Sequence, residues 1–587
     1  MRFRWQVEGT NPVRAGQVGH VLQLSPLVAQ CLLNRGLRQE VEMRLFLEPK
    51  LKQLSDPFLI PGMTAAVERL WQARLGGESL VIFGDYDVDG VTSTALLLET
   101  LKALGWNTEH YLPHRMEEGY GLSGEAVDRC LNKFPAKLVV AVDCGSSSHE
   151  VIGRLKSNGV DVLVIDHHQA AGPSPAAAMI NPHGQLPRTE PLDASNGDGS
   201  KQFQELCSVG LCFKLAHALV KRGREAGWPE AVKFDLRPLL ELVALGTIAD
   251  LVPLTGENRI LVSAGLDRLN STQRPGLVAL KRIAQCPPCV GVYEVGFQLG
   301  PRLNAAGRLE DAEKALQLLR AEHLSEALVL AHELDANNIE RQRIQREITA
   351  SAIAMVEPTF QPERDFVIVA GADHWHPGVV GIVASHLTQK FYRPSIVLGS
   401  DGVAWRGSGR SIAGFDLASA LRECGDLLLR HGGHAMAAGV SIEKEKVDGF
   451  RERLNGLAGA RLNKELLQAP LRLDAEVGLE EMTLDCLSGL DKLRPMGQGN
   501  PSVQFFTRNV THSRPLQKIG SAKQHVKMWV TDGTTTHEAV WWRGASESLP
   551  VGRFDLAFAP QTNNFNGRTQ VQLKVLDWRA AEPARLL

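Results

Sequence analysis

The chain has 587 residues, of which 44% are hydrophobic and 22% are charged, and its formal net charge is −2. Domains usually hold roughly 100–200 residues, so a chain of this length is expected to form several. The balanced charge excludes a uniformly basic nucleic-acid-binding protein, and any such partner has to be sought in local patches. The chain has no run of about 20 apolar residues, so the sequence predicts no membrane-spanning helix. Nine scattered cysteines are typical of reduced thiols, so we expect a cytoplasmic location and no membrane contact.

The first 70 residues have a helical pattern and carry no recognisable chemistry. From residue 79 short apolar runs end in small and acidic residues, as in Leu80–Phe83, Leu138–Val142 and Val162–Ile165. Such runs alternate with helical stretches, which predicts buried parallel strands in an α/β sheet.

Further along the chain the pattern changes twice. A charged helical region leads to a second α/β pattern that begins at Phe366, and short Val, Phe and Trp-rich strands follow from about residue 503. The strands predict a small β-barrel. The predicted domains are an N-terminal helical segment (1–70), an α/β domain (71–270), a long helical connector (271–358), a second α/β domain (359–460) and a barrel domain (461–587).

The strongest local signal is an acidic cluster, Asp85, Asp87 and Asp89, that directly follows the first predicted strand. In an extended segment all three carboxylates would face one side. Like charges this close repel each other unless a cation neutralises them. Alone, the cluster could also be a solvated acidic turn. A calcium loop would need a longer spacing and a final glutamate.

Other candidate ligands follow the next strands. Asp143 ends the second run, and Asp166, His167 and His168 end the third, while Asp250 closes the segment Gly-Thr-Ile-Ala-Asp. In open α/β sheets ligands bind beyond the carboxyl ends of the strands, so these groups are expected at one rim. Carboxylates mixed with imidazole suit Mn²⁺ or Mg²⁺, and so many ligands fit two ions.

These four segments resemble the motifs of the DHH phosphoesterases. Several further segments, at 115–122, 300–308, 375–381, 406–411 and 432–439, resemble the RecJ branch of that family, which degrades single-stranded DNA. The resemblance covers roughly residues 75 to 580. It implies a DHH catalytic domain, a second DHHA1-like α/β domain joined by the helical connector, and a C-terminal OB-like barrel.

The resemblance also implies roles for the acidic cluster. One ion would be held by Asp89, Asp143, His167 and Asp250, and the other by Asp85 and Asp87 with Asp143 bridging. His168 would contact phosphate or support the site, and Asp166 would orient an imidazole, as carboxylates commonly do beside metal-bound histidines. Water would then attack phosphorus in line, without a Ser or Cys nucleophile. Cys144 is expected to be a packing residue.

Candidate substrate-binding residues lie mostly in the second half of the chain. Arginine suits phosphate because its planar donors bind two oxygens, and a glycine-rich turn lets a phosphate approach the backbone. Surface salt bridges and a plain glycine-rich turn are the alternatives. Arg302 and Arg308 are expected in a loop. The candidates are Arg115, Arg302, Asn304, Arg308, Ser408, Arg410, Gly432, Gly433 and His434.

The barrel segment is locally basic. From residue 502 onward it has 11 Lys and Arg against 6 Asp and Glu, which gives about +5. Aromatic platforms beside basic groups are typical of single-strand binding, although some of the tryptophans are expected in the core. The candidate stacking groups are Trp529, Trp541, Trp542, Arg543 and Phe565.

The resemblance implies a 5′ to 3′ exonuclease that releases mononucleotides from single-stranded DNA, and we expect the protein to be a monomer. The resemblance implies a role in DNA repair and recombination beside a helicase and a single-strand-binding protein. One alternative is a nano-RNase or cyclic-dinucleotide phosphodiesterase of the same family, whose members are shorter and generally lack a basic barrel. A soluble pyrophosphatase is disfavoured by the extra domains. A second alternative, a non-catalytic single-strand-binding scaffold, is disfavoured because every motif ligand is present.

Overall fold

A computed structural model describes residues 3–581 except 115–117, 119–120, 171, 184–202, 310, 401, 403 and 566. The chain forms two compact units. One unit, here called the catalytic unit, comprises Leu45–Glu340 and Arg494–Pro501. The other, here called the binding unit, comprises Met1–Arg44, Arg341–Leu493 and Ser502–Leu587. The boundary between them falls inside the 33-residue helix Leu324–Val356.

The catalytic unit is built on a five-stranded parallel sheet, which confirms the predicted α/β class. Alternate residues of each strand enter two different cores: Ile82 and Val140 pack on one face, and Val81 and Val139 on the other. Because both faces are covered, the strands are continuous apolar runs rather than alternating ones. In spatial order the strands are Thr108–Tyr111, Leu80–Phe83, Leu138–Val142, Asp161–Ile165 and Ala178–Ile180.

Helices cover both faces of this sheet. Leucines of the predicted connector, such as Leu277, Leu316 and Leu319, are fully buried in the larger core, so much of the connector is part of the catalytic unit. The segment Val295–Leu299 is a π-helix that runs directly into an α-helix. The α-helices are Met63–Leu75, Val88–Ala103, Gly124–Lys133, His149–Ser157, Ser208–Glu225, Pro229–Lys233, Leu240–Ala249, Gly256–Asn270, Pro275–Ile283, Val292–Glu294, Gly300–Leu309, Glu313–Arg320 and Leu324–Val356.

The N-terminal segment is not wholly helical, which corrects the sequence-based expectation. It opens with the strand Arg4–Val7, which pairs in parallel with Pro470–Leu473. Four residues are too few for a periodic signal, so this strand depends on its distant partner. The helices that follow are Pro12–Leu22, Pro26–Asn34 and Glu40–Leu47.

The second α/β sheet lies in the binding unit and is mixed rather than parallel. Among its described strands, the one parallel pair is Ile368–Ala372 with Ser395–Ser400. The spatial order is Arg430–Gly433, Ala437–Ile442, Trp405–Arg410, Ser395–Ser400 and Ile368–Ala372. The helices are Val380–Phe391, Leu417–Glu423 and Val447–Arg461.

The C-terminal strands form a closed barrel, as predicted. Phe505–His512 pairs with both Phe554–Phe565 and His525–Thr531, and this double pairing closes the ring. Thr536–Trp541 pairs in parallel with Arg568–Ala580, so the order is the 1-2-3-5-4-1 arrangement of an OB-fold. The short strands Pro470–Leu473, Ala475–Glu476 and Gln517–Ile519 and the helix Leu484–Asp491 complete this part. Among the described helices, none has the length and hydropathy needed to span a membrane.

Candidate metal centre

Three adjacent strands of the parallel sheet deliver acidic groups to one rim. Asp85, Asp143 and Asp166 follow the ends of Leu80–Phe83, Leu138–Val142 and Asp161–Ile165, and all three are at most 2% exposed. Asp143 has a φ of 61°, a left-handed conformation that aspartate tolerates better than most residues. Backbone strain of this kind is often found at functional sites.

The acidic cluster after the first strand is not extended. A helix begins at Val88, and the Asp87 side chain caps it by accepting a hydrogen bond from the N–H of Gly90. A Cβ at Gly90 would lie 2.5 Å from the carbonyl oxygen of Asp85, so only glycine allows this close return of the backbone. The segment is therefore not extended, so the condition under which all three carboxylates would face one side is not met.

The helical turn divides the carboxylates into two groups. Ligand atoms of Asp85, Asp87 and Asp143 lie within 4.8 Å of one another, and a separate group contains Asp89 and Asp250. Asp143 also groups with His167 and His168. The three groups share one rim and are suited to two cation sites.

Asp89 is held by the N-terminus of another helix. Its two carboxylate oxygens accept hydrogen bonds from the backbone N–H groups of Ser208 and Val209, each at 2.8 Å. The Ser208 hydroxyl also donates to Oδ1 of Asp143 at 2.9 Å. A helix N-terminus favours a carboxylate, so it stabilises Asp89 in its ionised form. Ser208 could not be predicted from the sequence, since a serine more than a hundred residues from Asp89 carries no local signal.

The imidazole of His167 faces three carboxylates. Its Nε2 atom lies 3.4 Å from Asp250 Oδ2, 3.6 Å from Asp143 Oδ1 and 3.9 Å from Asp89 Oδ2. Nε2 and Asp250 Oδ2 are both buried without a hydrogen-bond partner among the described residues. Such groups rarely remain unpaired in a folded protein. A cation among these four side chains would satisfy them together.

Asp166 organises the adjacent histidine. Its Oδ1 accepts hydrogen bonds from the backbone N–H groups of His167 and His168 and lies 2.7 Å from Nδ1 of His168. Its Oδ2 accepts from the N–H of Ser146. Asn181, a second group that sequence reasoning missed, donates to the hydroxyl of Ser146 and to the carbonyl oxygen of His168. The imidazole that Asp166 orients is thus that of His168.

Burial and mutual repulsion disfavour the ionised forms of these carboxylates. Burial, followed by the charge of Asp87, raises the pKa of Asp89 to about 7. Burial, followed by Asp89 and Asp87, raises the pKa of Asp250 to about 9, and burial with the same neighbours raises the pKa of Asp143 well above its usual range. Burial lowers the pKa of His167 to about 4, so its imidazole is neutral and able to act as a ligand.

His168 behaves in the opposite way. Burial disfavours its charged form, but the hydrogen bond to Asp166 outweighs burial and raises the pKa of His168 to about 9. Burial likewise opposes the ionisation of Asp166, but the hydrogen bond to His168 holds the pKa of Asp166 well below its usual range. His168 therefore has a positive charge at neutral pH. Carboxylates and a neutral imidazole fit Mn²⁺ or Mg²⁺, and His168⁺ suits a phosphate oxygen.

Two buried cysteines lie near the rim. Cys207 is close to Asp89 and Asp250, but burial raises the pKa of its thiol well above the usual value, and it contacts Thr247 Oγ1 at 3.5 Å. Burial raises the pKa of the Cys144 thiol in the same way, and Cys144 packs in the smaller core. A protonated thiol is a poor ligand and nucleophile, so neither cysteine is assigned a chemical role.

The segment around Arg302 is a helix and not the predicted loop. Arg302 pairs with Asp335 at 2.9 Å, the salt-bridge alternative to a phosphate contact. Asn304 Oδ1 accepts a hydrogen bond from the N–H of Val88, so it supports the acidic cluster from behind. Arg308 lies half-buried on the same helix, and Arg115 lies outside the described residues.

Several predicted phosphate-binding residues meet in the mixed sheet. An Arg410 guanidinium nitrogen donates to the Ser408 hydroxyl at 2.8 Å. A Cβ at Gly381, in the first turn of helix Val380–Phe391, would lie 3.0 Å from Ser408 Oγ and 3.3 Å from Arg410 Nη2. An arginine, a hydroxyl and a helix N-terminus thus share one spot, which suits an anion.

The glycine-rich turn lies two strands away in the same sheet. Gly432 and Ser408 both pair with Gly439, so they are about 10 Å apart at the usual strand spacing. Gly433 has a φ of 133°, and exposed His434 begins the hairpin loop. These residues and Arg410 form one polar surface, here called the Arg410 surface.

The barrel separates its aromatic residues into two kinds. Trp541 is 5% exposed, so we assign it to the core and no longer to a stacking surface. Trp529 is half-buried and lies 5.4 Å from the Arg514 guanidinium and 5.2 Å from Lys527 Nζ. Trp542 is 47% exposed, and Arg543 beside it is also exposed. The side chain of Phe565 lies outside the described part of the chain.

The fold and the rim of ligands define the DHH class of phosphoesterases. A family model described as "DHH family, N-terminal domain" matches residues 79–247, and the "DHHA1 domain" model matches residues 364–460. A third model, "RecJ OB domain", matches residues 473–577.

Full-length relatives narrow this class. The single-stranded-DNA-specific exonuclease RecJ of Bacillus subtilis is 38% identical over 588 residues, which cover 99% of this chain and 71% of the relative. RecJ of Escherichia coli is 36% identical over 572 residues, which cover 94% and 95% of the two chains. The crystal structure of Thermus thermophilus RecJ in complex with Mn²⁺ has a TM-score of 0.83 and 29% identity, and covers 99% of this chain and 80% of that one. The chain belongs to the RecJ family of single-stranded-DNA-specific exonucleases.

Proposed function

We propose that this chain hydrolyses single-stranded DNA from the 5′ end, with Mn²⁺ or Mg²⁺, and releases 5′-mononucleotides. The observation that carries the proposal is the buried Nε2 of His167, which faces Asp89, Asp143 and Asp250 at 3.4–3.9 Å without a hydrogen bond. A neutral imidazole that faces three carboxylates is well suited to a divalent cation. The named activity of the full-length relatives supplies the substrate class.

We assign one ion to Asp89, Asp143, His167 and Asp250, and a second ion to Asp85, Asp87 and Asp143. Two ions of this kind neutralise charge on the phosphate oxygens and make the attacking water more acidic. The protein contributes rigidity: Asp89 is held by two backbone N–H groups and Asp143 by the Ser208 hydroxyl. Fixed ligands need no reorganisation during the reaction.

His168 is proposed to contact the phosphate rather than an ion. Its Nδ1 is engaged by Asp166, its side chain is 37% exposed, and its positive charge would attract a phosphate oxygen. A fixed cation beside the reacting phosphate stabilises the charge that develops as the bond to the leaving oxygen breaks. Asp166 therefore acts as a positioning residue.

The Arg410 surface is proposed to hold the 5′-terminal phosphate. Arg410 and Ser408 lie against the first turn of a helix, where backbone N–H groups also attract anions. Gly432 and Gly433 would allow close approach of the backbone, and His434 would add an imidazole. Capture of the end phosphate would set the 5′ to 3′ direction and the one-nucleotide product.

The barrel is proposed to hold the rest of the strand. Trp529 with Arg514 and Lys527 pairs an aromatic ring with two cations, and Trp542 and Arg543 are open to solvent. OB-folds bind single strands through such combinations. A long strand is the substrate best matched to this domain, so the alternative of a cyclic-dinucleotide or nano-RNA substrate is not favoured.

Direction and product are tested by blocking one end of the substrate at a time. Strands with three phosphorothioate linkages at the 5′ end should resist digestion, whereas strands blocked at the 3′ end should be shortened to the block. Chromatography should identify 5′-mononucleotides as the main product. Degradation that is stopped only by the 3′ block, or products of mixed length, would contradict the proposal. We also expect a cytoplasmic monomer that acts with a helicase and a single-strand-binding protein, which sedimentation and pull-down experiments can test.

A further inference from the structure

Two exposed aromatic side chains stand on the helix that borders the metal centre. Tyr293 and Phe297 are 63% and 70% exposed, and their rings stack with centroids 5.0 Å apart and planes at 28°. They are four residues apart on a helical backbone, so they share one face. None of the roles assigned above accounts for them.

The backbone under these rings is firmly anchored. Val295 and Leu299 are fully buried, so the opposite face of the same turns packs into the core. The carbonyl of Gln298 accepts a hydrogen bond from Arg302, and its amide oxygen accepts one from the Cys286 thiol. Residues Val295–Leu299 form a π-helix, whose wider turn changes the direction in which side chains project. Single π-helical turns are frequent at functional sites. The two exposed rings are thus attached to a well-anchored helical segment.

The same helical rod leads directly to the metal ligands. A Cβ at Gly300 would lie 3.6 Å from Ala249, the residue before Asp250. One turn later Asn304 accepts a hydrogen bond from Val88, inside the acidic cluster. At about 1.5 Å rise per residue, Phe297 lies about 4.5 Å along the helix axis from Gly300, which faces Ala249. It lies about 10 Å along the same axis from Asn304, which contacts Val88.

The residue after Asp250 adds to this apolar edge. Leu251 is 72% exposed and has a φ of 61°, a left-handed conformation that is costly for leucine. The strained turn directs an apolar side chain into solvent beside a metal ligand. An exposed apolar surface next to a phosphodiester-cleaving centre suits the one apolar part of a nucleic acid, its base faces.

We propose that Tyr293 and Phe297 form a stacking platform for bases of the single strand, within a few nucleotides of the scissile phosphate. The proposal rests on the function proposed above and adds a binding site to it. Bases of a single strand expose their faces, whereas bases of a duplex are already stacked on each other. The platform would therefore favour single-stranded over double-stranded substrates.

Binding measured without hydrolysis tests the platform independently of the reaction. Fluorescence anisotropy of a labelled 30-nucleotide strand, in chelator, compares the wild type with a Tyr293→Ala and Phe297→Ala double variant. Loss of stacking should weaken binding roughly tenfold. Leu75→Ala is the matched control, because Leu75 is also 70% exposed in the catalytic unit. Thermal unfolding should be unchanged in all variants, because the substituted side chains lie in solvent.

A scan with abasic nucleotides locates the contact. One abasic residue is placed in turn at each of the first eight positions of the strand. The wild type should bind more weakly when the gap falls at one or two specific positions, and the double variant should lose that sensitivity. Equal affinity of variant and wild type, or an unchanged abasic profile, would overturn the platform even if the strand is degraded. A position-specific loss of binding without any degradation would retain the platform and overturn the exonuclease.

Discussion

The Nε2 atom of His167 lies 3.4 Å from Oδ2 of Asp250, and neither atom has a hydrogen-bond partner among the described residues. A buried polar group left unsatisfied costs about 1–3 kcal/mol, so the fold maintains this arrangement at some expense of stability. Under the proposed ligand assignment, a cation bound between the two side chains would remove this cost. We therefore expect a divalent cation to stabilise the folded chain through these two side chains.

A first prediction concerns Asp143→Asn. Asp143 belongs to two of the ligand groups, so its loss should lower activity by more than about a hundredfold, the upper range for groups that only support a ligand. The variant should nevertheless fold, because removal of a buried charge relieves repulsion from Asp89, Asp87 and Asp85. Mn²⁺ at a hundred times its Kd should stabilise the wild type by about 2.7 kcal/mol. Calorimetry should find little such stabilisation in the variant, and full stabilisation would contradict the assignment.

A second prediction concerns Ser208, whose hydroxyl donates to Asp143. Ser208→Ala should weaken Mn²⁺ binding about ten- to a hundredfold, because a hydrogen bond to a charged group is worth about 1.5–3 kcal/mol. Ser395→Ala is a matched control, since Ser395 is equally buried and also donates one hydrogen bond, to Arg393. Isothermal titration should find weakened Mn²⁺ binding in Ser208→Ala and unchanged Mn²⁺ binding in Ser395→Ala. Similar losses of affinity would mean that the Ser208 effect is a general loss of stability.

A third prediction concerns Asp166→Asn. The amide would lose the charge that holds the pKa of His168 at about 9, so His168 should become neutral near pH 7. Activity should fall roughly ten- to a hundredfold, as for other groups that orient a site residue. NMR titration of the His168 ring should show its pKa lowered towards the usual value. A His168 pKa that stays near 9 would show that another group maintains its charge.

A fourth prediction concerns the Arg410 surface. Arg410→Ala should remove the preference for 5′-phosphorylated over 5′-hydroxyl strands, measured as the ratio of their kcat/KM values. Arg410→Lys should restore it only partly, because an ammonium group cannot bind two oxygens in one plane. Arg422→Ala, an exposed arginine of the same unit, is the control. An unchanged ratio in Arg410→Ala would contradict the assignment of the 5′-phosphate site to the Arg410 surface.

A fifth prediction separates the two adjacent tryptophans of the barrel. Trp542→Ala should weaken binding of long strands about five- to a hundredfold and leave stability unchanged. Trp541→Ala should instead destabilise the protein by about 3–5 kcal/mol, because the side chain is 5% exposed. Deletion of the barrel is a poorer test, since Trp5 near the N-terminus donates a hydrogen bond to Asp577. Binding and unfolding measured on both variants should give opposite patterns.

Much of the fold could be predicted because its elements have strong local patterns. The buried strands around Ile82 and Val140 are continuous apolar runs that end in aspartates, and ligands of parallel sheets collect at those ends. A helical stretch from Thr92 to Leu104 was predicted, but the start of that helix at Val88, inside the acidic cluster, was not, because three alternating aspartates also fit an extended segment. The helix start is stabilised by the side chains of Asp87 and Asn304, which accept hydrogen bonds from its first N–H groups. Asn304 lies more than two hundred residues away in the sequence.

The supporting residues were harder to predict. Ser208 and Asn181 are distant in sequence from the residues that they contact at the site. Neither belongs to a periodic pattern or a recognisable motif. The helix around Arg302 has two glycines, a proline and an asparagine, which favour a loop by local propensity. Burial of Leu299, Leu303 and Ala306 overrides that preference. Propensity is a weak guide wherever tertiary packing fixes a segment.

The measurement that tests the central claim most directly is digestion of a 3′-labelled single strand carrying a 5′ phosphate. It is performed with Mn²⁺, with chelator, and with the Asp143→Asn variant, beside a blunt duplex of the same sequence. The structure predicts Mn²⁺-dependent shortening of the single strand alone, lost with chelator and in the variant. Shortening that persists in chelator or in Asp143→Asn would contradict a metal centre built on Asp143. Cleavage restricted to dinucleotides or cyclic dinucleotides would contradict the exonuclease.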